Sequence, residues 1–490
     1  MDTDRFSINR RDFLRLLGLG AGAALLSPAC SAGSGGLRRV ILLYTNDEHG
    51  WMEGTGPRAG AARLMGLWKS QEGYRPHGPY LILSGGDMWT GPAVSSLGQG
   101  APMADVLNAM NYQAAAIGNH DFDFGLEAVR ARQRQSRFPF LSANMIDSAT
   151  GQAPDFARPY AVRAVNGVRL GLIGLTTTDT PYTAMPDTTA AYTFLPYDQA
   201  LRRAVPALQA EGVDALVVLG HICGAEMRAL APRARELGVS VIFGGHCHEE
   251  VEEVVEGVHL IQAGYYLRAY GRVEMWIDTD RQQVIAIESG VRPNRGGRED
   301  AQVAAVVRQA RAAADPGLWE VIGYLRAPVD RRSAALANLI TGAWLARLPA
   351  DLALTHARYY GTGLPAGPLD VAAVVGMLPM DYELVVARLT GAQLLENLEC
   401  CGPQAGGLRE VDDRLRLADG TPVEPDRAYR VLTSEFLYSG GEGFRIRTYD
   451  PAAERTGVDW RQPVIDWIRA QHSTRQSPLD PRLDPTPWRG

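Results

Sequence analysis

The sequence predicts an α/β protein in which a layered α/β domain is followed by a smaller α+β domain. Between Arg39 and about Asp278, short apolar runs alternate with amphipathic stretches, a pattern typical of buried strands separated by helices. A polar, glycine-rich segment at 291–300 then separates this region from a second region that again mixes helices with strands. A chain of 490 residues is long enough for two such domains.

The strands of the first domain are predicted from runs of apolar residues, many of them β-branched. We expect buried strands at 39–44, 79–84, 112–118, 138–143, 169–175, 214–220 and 239–245. Helical patterns lie between several of them, at 60–71, 102–111 and 198–212. Two later runs, 258–264 and 271–280, are expected to be antiparallel strands that close the domain.

The second domain is predicted from a helical pattern at 336–348 and strand patterns at 383–391 and 428–437. The proline-rich C-terminal tail is expected to be an extended surface segment. The predicted organisation is an export leader and tether at 1–36, a first domain at 37–297, a linker helix within 298–325, a second domain at 326–472 and the tail at 473–490.

The N-terminus has the composition of an export signal. The adjacent Arg10 and Arg11 are followed by an apolar run from Leu16 to Leu26, and this pattern resembles a twin-arginine leader. Cys30 resembles the acceptor cysteine of a lipoprotein, although the preceding Ser27-Pro28 pair fits that pattern poorly. We therefore expect an exported, periplasmic or otherwise extracytoplasmic protein, with a lipid anchor through Cys30 as one option.

Composition excludes several classes of partner. The formal net charge of -6 does not favour a nucleic-acid polymer, which would select a basic face. After the first 30 residues no apolar run is long enough to cross a bilayer, so no transmembrane domain is expected in the mature chain. Beyond Cys30, four cysteines remain, and we expect them to be structural thiols because adjacent cysteines rarely bridge each other: Cys223, Cys247, Cys400 and Cys401.

Polar side chains collect directly after the predicted strands. Five of the nine histidines lie at such positions, accompanied by acidic and amide residues. Ligand sites of α/β sheets form at the carboxyl ends of strands, so these side chains are expected to converge there. The residues, in chain order, are Asp47, His49, Asp87, Asn119, His120, Asp121, Asp123, His221, His246 and His248.

This donor set predicts a metal centre. Taken singly, each residue has a structural explanation as a loop histidine, a turn aspartate or a cap, but the strand-then-donor pattern repeats five times. Mixed nitrogen and oxygen donors suit Zn²⁺, Mn²⁺ or Fe²⁺ better than Ca²⁺. Since the donors are too many for one tetrahedral ion, two divalent metal ions about 3.5–4 Å apart are expected.

The order of the motifs NDEHG, GGD, GNHDFD, GH and GGHCH resembles the calcineurin-like metallophosphoesterases. It is most similar to the 5'-nucleotidases and 2',3'-cyclic phosphodiesterases, whose fold is a layered α-β-β-α sandwich followed by a 5'-nucleotidase C-terminal domain. The resemblance implies that Asp47, His49 and His248 hold one metal. It further implies that Asn119, His221 and His246 hold the other and that Asp87 bridges the two.

The same resemblance implies a catalytic pair and a mechanism. His120 is expected to face the substrate, with Asp123 orienting and charging it. A metal-bridging hydroxide would attack phosphorus in line with the leaving oxygen. His120 would either neutralise charge on the phosphoryl oxygens or protonate the leaving group.

The second domain is expected to bind the substrate, a small phosphoester that is most plausibly a nucleotide. In SEFLYSGGEGF (434–444), Phe436 is expected to stack on the base, and Glu442 stands where the family usually has aspartate. Arg332 matches a substrate-facing arginine. The family's second stacking ring is replaced by Met380, and its asparagine-glycine-arginine stretch is altered here, with Arg358 as a substitute in a shifted register.

The sequence therefore predicts an exported metal-dependent phosphoester hydrolase, either a 5'-nucleotidase or a 2',3'-cyclic nucleotide phosphodiesterase. Two alternatives stay open. A thiosulfohydrolase-like enzyme of sulfur oxidation has a similar fold and leader, but it differs at the asparagine-histidine motif that is intact here as Asn119-His120. A non-catalytic surface protein that binds nucleotides would be expected to have lost metal ligands, and none is lost.

Overall fold

The computed structural model describes residues 36–56 and 59–489. The predicted leader at 1–36, including Cys30, lies outside the described residues except for Gly36. In the part that is described, no helix is long and apolar enough to cross a membrane.

The first domain is built on two six-stranded sheets. The first sheet has the order β14-β13-β1-β2-β3-β4 and the second has the order β11-β12-β10-β9-β7-β6, while β5 and β8 form a separate pair. The strands are β1 Leu37–Thr45, β2 Tyr80–Ser84, β3 Ala114–Ala116, β4 Phe140–Leu141, β5 Met145–Asp147, β6 Tyr160–Val165, β7 Val168–Thr176, β8 Tyr192–Phe194, β9 Ala215–His221, β10 Val239–Phe243, β11 Glu250–Val255, β12 Val258–Ala263, β13 Ala269–Asp278 and β14 Gln283–Pro293.

The structure describes nine α-helices in the first domain. They are α1 Ala61–Leu67, continued by a π-helical turn at Trp68–Glu72, α2 Ala93–Leu97, α3 Ala101–Ala109, α4 Gly125–Gln135, α5 Thr180–Thr183, α6 Pro186–Thr189, α7 Tyr197–Ala210, α8 Gly224–Glu236 and α9 Ala301–Ala313. A 3-10 turn, His120–Phe122, lies between β3 and α4.

Apolar residues on both faces of each sheet explain the layering. Leu42 and Leu83 of the first sheet pack with Val217 and Val241 of the second sheet between the two sheets, and all four are buried. The outer face of the first sheet packs against α1, α3, α4 and α9, and that of the second packs against α7 and α8. Strands that are buried on both faces need continuous apolar runs, which is why the sequence pattern identified them. The predicted α-β-β-α layering is confirmed.

The strand directions place the polar loops together. Strands β1 to β4 are mutually parallel, and so are β7, β9 and β10, so the carboxyl ends within each set lie at one edge. Strand β13 is antiparallel to β1, as expected. The expectation for 258–264 holds for one of its two neighbours: β12 is antiparallel to β11 but parallel to β10. The hairpin of β11 and β12 was not predicted, because the sequence of β11 has only a weak apolar pattern.

The second domain has a five-stranded sheet of order β19-β16-β22-β18-β23. A 3-10 turn at Pro316–Trp319 precedes the strands of this domain. Two further two-stranded sheets are formed by β15 with β17 and by β20 with β21. The strands are β15 Val321–Leu325, β16 Leu352–Thr355, β17 Gly367–Asp370, β18 Glu383–Thr390, β19 Gln404–Gly406, β20 Leu408–Val411, β21 Arg414–Leu417, β22 Ala428–Ser434 and β23 Glu454–Asp459. Its helices are α10 Ala334–Arg347, α11 Val371–Met377, α12 Gly391–Cys401, α13 Glu435–Tyr438, α14 Ile446–Tyr449 and α15 Gln462–Ala470, with further 3-10 turns at Ala357–Tyr359, Gly441–Gly443 and Asp480–Arg482.

The predicted strand at 428–437 ends early. Strand β22 stops at Ser434, because the Ser434 hydroxyl accepts a hydrogen bond from the backbone N–H of Leu437 and caps α13. This cap turns the following aromatic residues away from the extended conformation and determines where Phe436 points.

The two predicted segments outside the domains both pack against a core. The predicted linker helix is α9, and its residues Val303 and Val306 pack against the core of the first domain. The tail after 472 is extended, but it is not simply a surface segment, because Leu479 and Trp488 are buried in the core of the second domain. The indole N–H of Trp488 also donates to the carbonyl of Pro403 at 3.2 Å.

The expectation of free thiols is also wrong. Cys223 and Cys247 form a disulfide with a Cα–Cα distance of 5.2 Å. Adjacent Cys400 and Cys401 form a second one. The sequence distance of 24 residues between the first two cysteines carries no sign of their contact, which depends on the adjacency of β9 and β10.

Candidate metal centre

A first group of donors combines the β1 loop with the loop after β10. The Asp47 carboxylate and the His49 and His248 imidazoles each offer an atom within 4.8 Å of the others. The Nε2 atoms of His49 and His248 lie 3.2 Å apart, and Nε2 of His248 lies 3.4 Å from the Asp47 carboxylate. Asp47 and His49 are buried.

A second group lies beside the first. It consists of Asp87 after β2, His221 at the end of β9 and His246 after β10. Nε2 of His221 lies 3.2 Å from the Asp87 carboxylate and 3.2 Å from Oδ1 of Asn119. Asp87 also lies 3.6 Å from Nε2 of His49 in the first group, so one carboxylate reaches both groups.

The backbone in these loops is unusual. Asp47, His49, Asp87, His246 and His248 all have positive φ angles, between 47° and 75°. Aspartate and histidine tolerate this left-handed region better than most residues, but each instance still costs about 1 kcal/mol or more. Strain of this kind persists where the surrounding structure over-determines it, and it clusters at functional sites.

The chemistry of the donors fits metal ions. The Nδ1–H of His221 donates to the Gly85 carbonyl at 2.8 Å, which directs its Nε2 atom at the oxygens of Asp87 and Asn119. The Nδ1–H of His49 donates to the Thr90 carbonyl at 2.9 Å, which leaves its Nε2 lone pair directed at His248. Lone pairs that converge in this way repel one another unless a cation lies among them, and such outer hydrogen bonds are typical of metal-binding histidines.

Electrostatics keep several of the ligands in the form that binds metals. His221 is the exception: burial opposes its charge, but Asp87 raises its pKa to about 9, so a metal ion would have to displace that proton. Burial lowers the pKa of His49 to about 4, and burial together with His221 lowers the pKa of His246 to about 4, so both imidazoles are neutral at pH 7. Burial opposes ionisation of Asp87, but the charges of His221 and His120 hold the pKa of this carboxyl well below its usual range. Neutral imidazoles and ionised carboxylates are what divalent ions require.

His120 and Asp123 form a separate pair at the edge of the centre. Nδ1 of His120 donates to the Asp123 carboxylate at 2.9 Å, and the His120 side chain is 20% exposed. Burial opposes the charge on His120, but Asp123 and Asp87 raise its pKa to about 10. At neutral pH His120 is therefore a cation that faces the cavity, with Nε2–H free for a substrate oxygen.

Asp121 has a structural role. Its carboxylate accepts backbone N–H groups from Asp87 at 3.1 Å, Met88 at 2.8 Å and Gly118 at 2.8 Å. It thereby holds the loop that carries Asp87 against the loop that carries Asn119 and His120. Asp121 is absent from the two donor groups themselves.

A cavity of about 330 Å³ opens over the donors. One wall holds His49, Asp87, Asn119, His120, His246 and His248, and the opposite wall, from the second domain, holds Arg331, Arg332, Arg358, Tyr359, Met380 and Glu442. Of the predicted substrate residues, Arg332, Met380 and Glu442 thus line the cavity. The Tyr359 hydroxyl donates to Glu442 at 2.6 Å.

Phe436 does not reach the cavity, and the prediction that it stacks on a base is contradicted. Its side chain is 0% exposed and lies beneath Tyr359, with ring centroids 4.4 Å apart, and parallel to Tyr382 at 5.6 Å. A ring with no exposed surface offers no face to a nucleobase. Tyr359 stands in front of it instead.

Sequence reasoning missed Tyr359 and Arg331. Arg331 directly precedes the predicted Arg332 and donates to the carbonyl of Tyr360 at 3.0 Å. Both missed residues lie in or beside segments that carry predicted substrate residues, the RRS sequence and the THARYYG sequence. No local pattern distinguishes a cavity-lining tyrosine from a core tyrosine.

Comparison with known proteins agrees with this architecture. A family model described as calcineurin-like phosphoesterase matches residues 42–250, and a model described as 5'-nucleotidase, C-terminal domain, matches residues 319–448. Protein UshA of Escherichia coli is 26% identical over 548 residues, covering 95% of this chain and 98% of UshA. Cell wall protein Lmo0130 of Listeria monocytogenes is 25% identical over 499 residues, covering 83% of this chain but only 64% of Lmo0130.

Solved structures share the fold. A 5'-nucleotidase precursor from Thermus thermophilus superposes with a TM-score of 0.78 at 24% identity, covering 89% of this chain and 97% of that one. Sulfate thiohydrolase SoxB, also from Thermus thermophilus, superposes with a TM-score of 0.73 at 20% identity, covering 94% and 97%. These likenesses show the fold alone. The matched family models and the two donor groups together lead to the conclusion that the chain belongs to the calcineurin-like phosphoesterases that carry a 5'-nucleotidase C-terminal domain.

Proposed function

We propose that the protein is an exported hydrolase of small nucleotide phosphoesters, a 5'-nucleotidase or a 2',3'-cyclic nucleotide phosphodiesterase. The observation that carries the proposal is the position of Asp87, which lies 3.6 Å from His49 of one donor group and 3.2 Å from His221 of the other. A shared carboxylate between two sets of donors is what a pair of neighbouring ions requires.

One ion would be held by Asp47, His49 and His248. The other would be held by Asn119, His221 and His246, and Asp87 would be a ligand of both. When bound, the two ions supply Lewis-acid chemistry that makes water nucleophilic near neutral pH and offsets phosphate charge. The distinction between Zn²⁺, Mn²⁺ and Fe²⁺ is a matter for elemental analysis.

The chain's own residues supply a proton donor and a positioning group. Nδ1 of His120 is held by Asp123, so Nε2–H is the donor available to a phosphoryl oxygen or to the leaving oxygen. Because the Asp123 side chain is 1% exposed, it holds the imidazole in one orientation. A fixed donor aimed at developing negative charge stabilises a phosphoryl-transfer transition state.

The second domain would bind the rest of the substrate. Arg331, Arg332 and Arg358 line the cavity opposite the donor groups, and their positive charge suits an anionic nucleotide. Glu442 accepts hydrogen bonds and can select donors on a sugar or base. The domain boundaries that we propose are 37–297 for the metal-binding part and 326–472 for the substrate-binding part.

Similar proteins support the substrate class and the location. A related protein of Rattus norvegicus is described as a 5'-nucleotidase, and the related Lmo0130 is described as a cell wall protein. The two disulfides suit an oxidising compartment. We therefore propose an extracytoplasmic location, with lipidation of Cys30 as a feature that mass spectrometry of the native protein can test.

A substrate panel tests the proposal. Metal-loaded protein is assayed for phosphate release from nucleoside monophosphates and for ring opening of 2',3'-cyclic nucleotides, with a generic aryl phosphate and a thiosulfate conjugate as comparisons. We expect turnover of at least one nucleotide class. Turnover of the aryl phosphate with no nucleotide turnover would overturn the nucleotide assignment, and turnover of the thiosulfate conjugate alone would favour the thiosulfohydrolase alternative.

A further inference from the structure

The Cys223–Cys247 disulfide lies inside the metal centre's framework. Cys223 follows His221 by two residues, and Cys247 stands between His246 and His248. The bridge therefore joins the loop after β9 to the loop after β10. The last residue of β9, His221, and the loop after β10 supply three of the predicted ligands, from both donor groups.

The loop after β10 needs restraint. His246 and His248 have φ angles of 75° and 56°, a left-handed conformation that is unfavourable for residues with a side chain. Cys247, the residue between them, is the one that is covalently anchored. Without an anchor, this segment can relax towards unstrained backbone and carry both imidazoles away from their partners.

Weaker contacts join the same loops. The N–H of Gly245 donates to the Ile222 carbonyl at 3.0 Å, and the N–H of Gly224 donates to the Glu249 carboxylate at 3.1 Å. These bonds flank the disulfide on both sides. The bond to Glu249 is open to competition from water because Glu249 is exposed, whereas Gly245 and Ile222 are buried, so a single backbone bond is the protected non-covalent link of the two.

We propose that the Cys223–Cys247 disulfide is a positioning element of the metal centre, which keeps His221, His246 and His248 in metal-binding geometry. The oxidised protein then retains its ions tightly, and cleavage of the bridge loosens both sites together. This inference rests on the proposed metal assignment but not on the choice of nucleotide substrate.

The bridge is open to chemical reduction in the folded protein. Cys247 is exposed and lines the cavity over the donors. A water-soluble trialkylphosphine attacks one sulfur and breaks the S–S bond. With one water molecule the products are two thiols and the phosphine oxide, so the phosphine is oxidised as the disulfide is reduced.

The test compares two double variants, Cys223→Ser/Cys247→Ser and the matched control Cys400→Ser/Cys401→Ser. Serine is suitable at 223 because Cys223 is the N-cap of α8, and serine is a preferred residue there. Replacing both cysteines of the bridge also avoids a lone thiol that could bind metal. The control removes the other disulfide. Neither Cys400 nor Cys401 is among the residues that line the cavity over the donors.

Two measurements are made on each metal-loaded protein. The first is the rate of zinc loss to a chelator, and the second is the visible spectrum of the cobalt-substituted protein, which reports ligand geometry. For the 223/247 variant we expect zinc loss to be about 10-fold to 100-fold faster and the cobalt bands to change. For the control we expect both readouts to match those of the wild type.

Each outcome has one meaning. If wild-type protein binds no metal, the proposed function fails. If wild type binds two ions and the 223/247 variant holds them as tightly with the same cobalt spectrum, only the positioning role is overturned. If the variant does not fold, phosphine-reduced wild-type protein replaces it. Mass spectrometry then verifies that Cys223 and Cys247 are free thiols. Unchanged zinc retention in this reduced protein would also overturn the inference.

Discussion

Neighbouring histidines in the metal centre differ in charge because of their surroundings. The rings of His49 and His120 lie 5.5 Å apart, and burial works against protonation of both. At His49 burial prevails and lowers the pKa to about 4. At His120 the adjacent Asp123 and Asp87 prevail and raise the pKa to about 10, so one imidazole suits a metal and the other suits an anionic substrate.

Replacing His120 with alanine should reduce turnover without removing metal. His120 lies outside the two donor groups, so we expect both ions to be retained and kcat to fall by roughly 10²–10⁴-fold, the usual contribution of a proton donor. Steady-state kinetics with elemental analysis of the same sample checks this. Loss of metal from the variant would show that His120 is a ligand.

Asp123→Asn should change the pH dependence of turnover. Burial opposes the charge on His120, but Asp123 and Asp87 raise its pKa. A histidine whose pKa is raised stays protonated below that value and loses its proton as pH rises through it, so the wild type keeps its proton donor to a higher pH than an unperturbed histidine would. Without the Asp123 charge the pKa of His120 falls, and activity should decline at a lower pH. A kcat–pH profile with equal metal content measures the shift, and an unmoved alkaline limb would refute the role of Asp123.

Phe436→Ala should affect stability rather than nucleotide selection. Because the ring is fully buried beneath Tyr359 and beside Tyr382, we expect a loss of about 3–5 kcal/mol in the free energy of unfolding. Urea denaturation measures it, with Tyr182→Ala, at a side chain that is 61% exposed, as a near-neutral control. If the Phe436→Ala variant instead has an unchanged free energy of unfolding and a raised KM for nucleotides, Phe436 does stack on the base.

At the scale of elements, one buried carboxylate joins a helix end to two strands. Glu72, at the end of the π-helical turn, accepts hydrogen bonds from the hydroxyl of Tyr270 at 2.6 Å and from Arg272 at 2.8 Å, both in β13. Arg292 of β14 lies 2.5 Å away. Burial alone would raise the pKa of Glu72, but these partners lower it.

Glu72→Gln should destabilise the protein in a pH-dependent way. A carboxyl whose pKa is lowered on folding contributes stability above its unfolded pKa, about 4.3, and loses that contribution as pH falls through the folded pKa. We expect a loss of about 3 kcal/mol at pH 7 that shrinks towards zero in acid. Urea unfolding at several pH values tests this. The control is Glu53→Gln, which removes an exposed ion pair with Arg311 and should lower the free energy of unfolding by less than about 1 kcal/mol. A pH-independent difference would contradict the ionic explanation.

At the scale of the whole molecule, metal binding should stabilise the fold. Asp47 and Asp87 are buried and offer negative charge to ions that the unfolded chain cannot hold in this geometry. An ion at 100 times its dissociation constant contributes about 2.7 kcal/mol, so a chelator should lower the midpoint of thermal unfolding and added metal should restore it. Calorimetry measures the change, and an unmoved midpoint after verified metal loss would contradict it.

Much of the fold and of the candidate site was predictable from local patterns. The apolar runs located β1, β2, β7, β9 and β10, because strands buried on both faces must be continuously apolar. The exceptions have tertiary causes. The direction of β12 depends on its place beside β10. The apolar face of α9 indicates that the helix packs against something, but it does not indicate which domain. The helix was therefore expected to be a linker.

The candidate metal donors and their convergence could be predicted from the sequence, because each donor ends or directly follows a strand and parallel strands end at a common sheet edge. Three features could be seen only in the folded chain: Phe436 is covered by Tyr359, Arg331 and Arg332 line the same cavity, and Cys223 bonds to Cys247. Those contacts join residues from different segments, and which side of a segment faces a partner depends on packing between elements, for which a linear pattern has no local signal.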